Sequence, residues 1–236
     1  MAKRKKKLSK KDIHFSFDKS LEGKKDVFVI GLDMSLRHSG IVIINNKKEV
    51  VHQESIIYEE VKKTVKKQRK DTHYMIFKIN GEIHDKKFDI TDYEDHSIDS
   101  LERIIVVKKR VEFLLKKYNI THAVIEAPSY ASVGLKVQLT ELTTPIKVAL
   151  KLKKIPFYLV PPKTLKYYIA GTGNAEKEDI QKAVLEKYFL VFEDDNESDA
   201  FGLAVMGLEL GEEIKLYIKS GAPEVYAKQK SELNNG

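Results

Sequence analysis

Val27-Phe28-Val29-Ile30-Gly31-Leu32-Asp33 is an apolar, β-branched run that ends in an acid. Such residues suit a pleated, half- or fully buried surface, so the run reads as a strand. Seven residues later comes Gly40-Ile41-Val42-Ile43-Ile44, a second strand, closed by the turn pair Asn45-Asn46. A third strand-like stretch occupies about Glu49–Tyr58. Short connections between three successive strands predict an antiparallel meander.

The pattern changes further along the chain. From about Ile98 the apolar residues Leu101, Ile104, Ile105, Val111, Leu114 and Leu115 recur at helical spacing. His122-Ala123-Val124-Ile125-Glu126 is another apolar strand ending in an acid, and a helix is predicted over 131–153. Pro156-Phe157-Tyr158-Leu159-Val160 is a further strand, stopped by Pro161-Pro162. Glu176–Tyr188 and Glu197–Leu210 read as the last two helices. Strands that alternate with helices pair in parallel. The expected fold is therefore α/β: a mixed five-stranded sheet, an antiparallel meander plus two parallel strands, flanked by helices.

Three regions lie outside this pattern. Residues 1–25 form a basic tail, expected to be flexible, whose cluster from Lys3 to Lys7 suits an import signal, a nucleic-acid arm or a general electrostatic aid. Residues 59–97 form a charged, poorly periodic insertion in the 26–212 domain, with a hairpin expected around Tyr74–Ile83 and its turn at Asn80-Gly81. Residues 213–236 are polar toward the end and read as a C-terminal tail.

Composition narrows the function. The chain has 236 residues, 42% of them hydrophobic, enough for one domain with a real core. It has no cysteine, which excludes disulfides, thiolate metal sites and thiol catalysis. No apolar run approaches the roughly 20 residues needed to span a bilayer, so no membrane role is expected. Forty-two basic against 35 acidic residues leave a net charge of +7. That surplus suits a polyanionic partner, or simply a soluble, Lys-rich surface.

Asp33 and Glu126 each close an apolar strand, and Asp199 lies near the start of the last helix. In a parallel arrangement such strand ends meet at one end of the sheet, where sites form. Carboxylates gathered there repel one another unless a cation is present, and a hard-oxygen set favours Mg²⁺ or Mn²⁺. Two such ions about 4 Å apart suit phosphodiester cleavage. Each acid alone also fits a plainer role, as a turn residue or a helix cap.

Gly31-Leu32-Asp33-Met34-Ser35-Leu36-Arg37-His38-Ser39-Gly40 resembles the first motif of the RuvC-type Holliday junction resolvases, G-[IL]-D-x-[GS]-x-x-x-[ST]-G. Val124-Ile125-Glu126 is similar to their second acidic motif. Ala170-Gly171-Thr172-Gly173-Asn174-Ala175-Glu176-Lys177 resembles their G-x-G-x-A-x-K element, and Ser198-Asp199-Ala200-Phe201-Gly202-Leu203-Ala204 their closing A-D-A-x-x-[IL]-A helix. The four motifs fall in the family's order over roughly residues 26–210. The resemblance implies the RNase H-like fold and a homodimer that nicks four-way DNA junctions in pairs with divalent metal. It nominates Lys166 and Lys177 as basic groups near the scissile phosphate, with Lys163 counted beside them as DNA-binding. Tyr130 stands one residue off a family aromatic that stacks in the junction; as a plainer reading it is a packed loop tyrosine.

The resemblance departs at one position. Three residues before Asp199 the family carries an acid or His; here stands Asn196, with Asp195 one residue earlier. A carboxylate holds a hard cation better than an amide, so Asp195 is expected to be the fourth acid, with Glu126 bridging the ions. Two other functions share these features: an RNase H-like nuclease acting on RNA or RNA–DNA hybrid, and an inactive nucleic-acid-binding protein. The expected location is the cytoplasm of a bacterium or phage-infected cell, or a nucleus if the host is eukaryotic.

Overall fold

The apolar run at 27–33 becomes strand β1 (Phe28–Asp33), the strand at which pairing changes direction. It runs antiparallel to β2 (His38–Asn45) and parallel to β6 (Ile120–Glu126). The structure, a computed structural model, describes residues 27–35, 37–65, 70–80, 82–84, 96–128, 133–221 and 223–234. Beyond β2 lies β3 (Val50–Val65), then β4 (Lys70–Ile79) and β5 (Glu82–His84), all antiparallel. Beyond β6 lies β7 (Phe157–Val160), parallel to it. The sheet order is β5-β4-β3-β2-β1-β6-β7. The antiparallel meander and the two parallel strands are as expected; among the described residues the sheet has seven strands, not five.

The two extra strands come from the charged insertion. β3 does not end near Tyr58 but continues to Val65, paired residue for residue with β4. Past Ile57, which pairs with His38, β2 offers it no partner. There β3 pairs with β4, and both strands lie in the charged insertion, whose poor periodicity hid them in the sequence. The expected hairpin is present as β4 and β5, with Asn80 in the left-handed region at its turn (φ 50°).

Alternation along β1 divides the core in two. Ile30 and Leu32 point to one face, where α1 (His96–Lys117) and α2 (Val133–Leu152) bury Val111, Leu114, Leu142, Ile146 and Leu150 against them. Val29 points to the other face, where Phe201, Val205 and Leu208 of α5 (Asp195–Leu210) cover it. Also on this second face are α3 (Pro162–Ala170), α4 (Lys177–Tyr188), α6 (Ile214–Ser220) and α7 (Pro223–Asn234). Among the described residues no helix is long and apolar enough to cross a membrane.

Two segments differ from the sequence reading. Pro161-Pro162 stops β7 and also opens α3, because proline's fixed φ suits the first helical position. The C-terminal stretch is not a loose end: Tyr217 of α6 and Tyr226 of α7 are buried with ring centroids 5.2 Å apart. The Tyr226 hydroxyl and the Lys230 ammonium both donate to Glu213. Ile214 is fully buried beside them, and Leu216 and Ile218 pack against the same core, so apolar spacing over 214–218 was a signal the reading of a polar tail missed.

Candidate active site

The register between β1 and β6 runs to Leu32 opposite Ile125, so Asp33 and Glu126 follow at neighbouring strand ends. Side chains alternate along a strand, which puts both acids on the face of Gly31 and Val124, under α5. A Cβ on Gly31 would lie 1.8 Å from the Ala200 carbonyl oxygen, and one on Gly40 would lie 2.2 Å from that of Asn196. The two motif glycines are thus the floor on which the helix backbone rests. Of α5 only Asp195, Asn196 and Asp199 are not buried, and all three lie at its N-terminal end. Strand ends and helix start therefore deliver Asp33, Glu126 and Asp199 to one place.

Their electrostatics reflect that convergence. Burial raises the Asp33 carboxyl to about 8, with Asp199 and Asp194 adding repulsion. Burial and then Asp33 and Asp199 hold Glu126 well above the usual carboxylate range. Asp199 rises to about 6, by burial and by Asp195, despite the pull of Lys166 and Lys177. Buried, mutually repelling oxygen donors are the set a divalent cation would relieve. Among the described residues, however, no three such groups stand close enough to form a ready ligand cage.

The lysines sit on either side. Lys166 of α3 donates to the Ala175 carbonyl at 2.6 Å, tying down the 171–176 loop while its charge reaches Glu126 and Asp199. Gly171 takes the left-handed conformation that ends α3 (φ 78°). Glu176 caps α4, its N–H donating to Asp179 at 3.0 Å, and Lys177 is the first residue of that helix. Lys163 is exposed on α3, one turn before Lys166. Tyr130 lies outside the described residues.

Asp195, expected as the fourth acid, lies at the start of α5 against α4. Both Asp195 oxygens are occupied on α4, by Lys177 at 2.9 Å and Gln181 at 2.8 Å. Asn196 turns its side chain to Asp194 at 3.0 Å. Asp194, which the sequence reading passed over, caps α5 through the Asn196 N–H at 2.7 Å, and its charge reaches Asp33. It is held in turn by His38 of β2 and by the Ser55 hydroxyl of β3 at 3.1 Å. A capping acid directly before a helix was a visible signal, but its strand partners were not adjacent in sequence.

No protein-family model matches the chain. It is 25% identical over 109 residues to the crossover junction endodeoxyribonuclease RuvC of Prochlorococcus marinus, a match covering 45% of this chain and 70% of that protein. It is 30% identical over 121 residues to the enzyme of the same name from Cytophaga hutchinsonii, covering 49% of this chain and 58% of that one. The chain is thus similar to RuvC proteins, at modest identity. The RuvC structure of Thermus thermophilus aligns over 79% of this chain and 96% of that one, with a TM-score of 0.51 at 17% identity. The same RuvC in complex with a Holliday junction substrate gives a TM-score of 0.54 at 15% identity, with the same coverage. The likeness to RuvC fixes the fold as RNase H-like.

Proposed function

We propose that this chain is a structure-selective endonuclease that resolves Holliday junctions and related branched DNA by paired nicks, with a divalent metal ion. The observation that carries the reading is the gathering of Asp33, Glu126 and Asp199 at one end of a RuvC-like sheet. These three acids would hold Mg²⁺ or Mn²⁺, which would supply an activated water and stabilise the leaving oxygen. Lys177, exposed at the start of α4, is placed to meet a phosphate at that helix N-terminus. Lys166 orders the loop before it, and Lys163 extends the basic side along α3. Asp195 orients Lys177 rather than completing the ion site. A homodimer supplies the second nick, since a four-way junction is close to two-fold symmetric. Its place of action is where the DNA lies, in the cytoplasm of a bacterium or phage-infected cell.

The test is incubation with a synthetic four-way junction, matched duplex and RNA–DNA hybrid, each with Mg²⁺ and with EDTA. Paired nicks in the junction alone, only with metal, and none by the Asp33→Asn protein are expected. Binding of the junction by Asp33→Asn should survive, because losing a negative charge does not weaken polyanion binding. Cleavage of the hybrid in preference to the junction would favour an RNA-directed nuclease instead.

A further inference from the structure

Strand β7 closes one side of the sheet: it pairs with β6 and has no described strand on its other side. The chain that builds this edge is unusual in charge. Residues 142–175 run from the middle of α2 through β7 and α3 into the loop that follows, and hold six lysines and no Asp or Glu. The chain as a whole has 42 basic and 35 acidic residues, so this stretch is not an average sample of it. Helical periodicity places Lys147 and Lys151 on one flank of α2, about a third of a turn from the core row of Leu142, Ile146 and Leu150. β6, α2 and β7 form a parallel crossover, and in the right-handed form that such crossovers take, that flank faces the sheet's outer edge. Lys153 and Lys154 follow in the turn into β7, where the Lys154 N–H donates to the Lys151 carbonyl at 3.0 Å. Lys163 stands past the other end of β7, in the first turn of α3.

Helix stability does not account for these lysines. A cation suits the last turn of a helix, and Lys151 has that place. Lys153 and Lys154 lie past α2, and Lys163 sits at the start of α3, where the helix dipole disfavours a positive charge. The first turn of α3 carries no acid to offset it. Elsewhere on the surface Lys108, Lys182 and Lys228 each stand beside a glutamate four residues on. Among the described residues no acid pairs with Lys151, Lys153 or Lys154, and all three are exposed, as is Lys163. The register ties this edge to the acids: Glu126 is level with Val160, so the Lys163 end lies beside them. Six steps from Ile155 to Pro161, at about 3.3 Å each, put the other lysine group roughly 20 Å back along the edge.

We propose that the β7 edge is a track for duplex DNA, on which Lys151, Lys153 and Lys154 hold the sugar-phosphate backbone of one branch about six base pairs from the acids. An acid-free row of lysines of that length complements a regular line of phosphates and makes no demand on base sequence. The placement beside a cut site rests on the nuclease reading above; the grip on duplex phosphate does not. It is tested in full-length proteins carrying Asp33→Asn, so that binding is read without cleavage. One keeps the native track, and a second has Lys151, Lys153 and Lys154 changed to Gln. A third has Lys109, Lys182 and Lys228 changed to Gln, which removes the same charge from exposed sites on α1, α4 and α7. A fourth changes only Lys153 and Lys154, outside any helix, in case the triple change disturbs α2.

Each is titrated over a range of salt with a four-way junction. The triple change on the track should flatten the slope of log affinity against log salt by about 2–3, and the double change by about 2, at roughly 0.9 for each phosphate no longer neutralised. The third protein should keep the native slope. A second junction carries uncharged methylphosphonates at about the fifth to eighth base pair of every branch, and on it all four proteins should converge. Equal slopes for native and altered tracks on the unmodified junction would overturn the grip, and so would an equal flattening in the third protein. A difference that persists on the neutralised branches would overturn the placement along β7. Track-dependent binding of polyglutamate, with equal slopes on the junction, would assign the edge to an acidic protein instead. Cleavage of the junction by the unaltered protein is scored separately. No cleavage together with a track-dependent slope sinks the nuclease reading and keeps the track; cleavage with equal slopes does the opposite.

Discussion

Asp33 is crowded by its surroundings: it is buried, and Asp199 and Asp194 both repel its charge. Without metal that crowding opposes folding, so Asp33→Asn should stabilise the protein in EDTA while abolishing cleavage. A gain of about 1–3 kcal/mol is expected, equivalent to several degrees in melting temperature. A variant that melts at or below the native protein in EDTA would contradict the crowding. Glu54 is the opposite case. It is fully buried, and although burial pushes its carboxyl up, hydrogen bonds from His52 and Arg110 outweigh this and hold it below 4.5. A depressed carboxylate contributes stability above its unfolded pKa and loses it as pH falls through the folded value. Glu54→Gln should therefore cost about 3 kcal/mol at neutral pH, with the difference from native shrinking below about pH 4 in denaturant titrations. Asp195→Asn frees Lys177 and should raise KM for the junction without moving the metal titration midpoint; an upward shift of that midpoint would return Asp195 to the ion site.

Helix α5 depends on the two strand glycines beneath it. At Gly31 an added methyl would sit 1.8 Å from backbone, which cannot rotate away as a side chain can. Gly31→Ala must therefore lift the helix and its Asp199. A loss of about 3 kcal/mol and of most cleavage is expected, by thermal melts and junction assays. Gly171→Ala is the control. Its added methyl meets nothing within 4 Å, and only the left-handed backbone resists it, at about 1 kcal/mol. Equal losses in the two variants would mean that packing against α5 is not what Gly31 serves.

Across the molecule as a whole, α2, the helix predicted over 131–153, carries two sets of apolar residues. Leu142, Ile146 and Leu150 are core, whereas Val137, Val148 and Leu152 form a second, exposed row. That row is the face we assign to the interface of the proposed homodimer. Changing Val148 and Leu152 together to Glu should yield a monomer in light scattering that nicks a junction on one strand at a time. A variant that stays dimeric would place the interface elsewhere.

The sheet core was legible in the residue pattern alone, because strands buried on both faces must be continuously apolar and this leaves runs such as 27–33 and 120–126. So were the positions of Asp33 and Glu126, since an acid closing an apolar strand stands out locally. Helix spacing over 98–115 was readable for the same reason: Val111 and Leu114 must face the sheet. The rest was settled by folding. Which of Asp194, Asp195 and Asn196 faces the acids depends on Lys177, Gln181, His38 and Ser55, which are distant in sequence and meet only in the folded chain. The outer half of β3 was not legible as a strand because past Ile57 it pairs with β4, which lies in the same charged, poorly periodic insertion. Its direction, out past the acids, exists only once β1, β2 and β3 are in register.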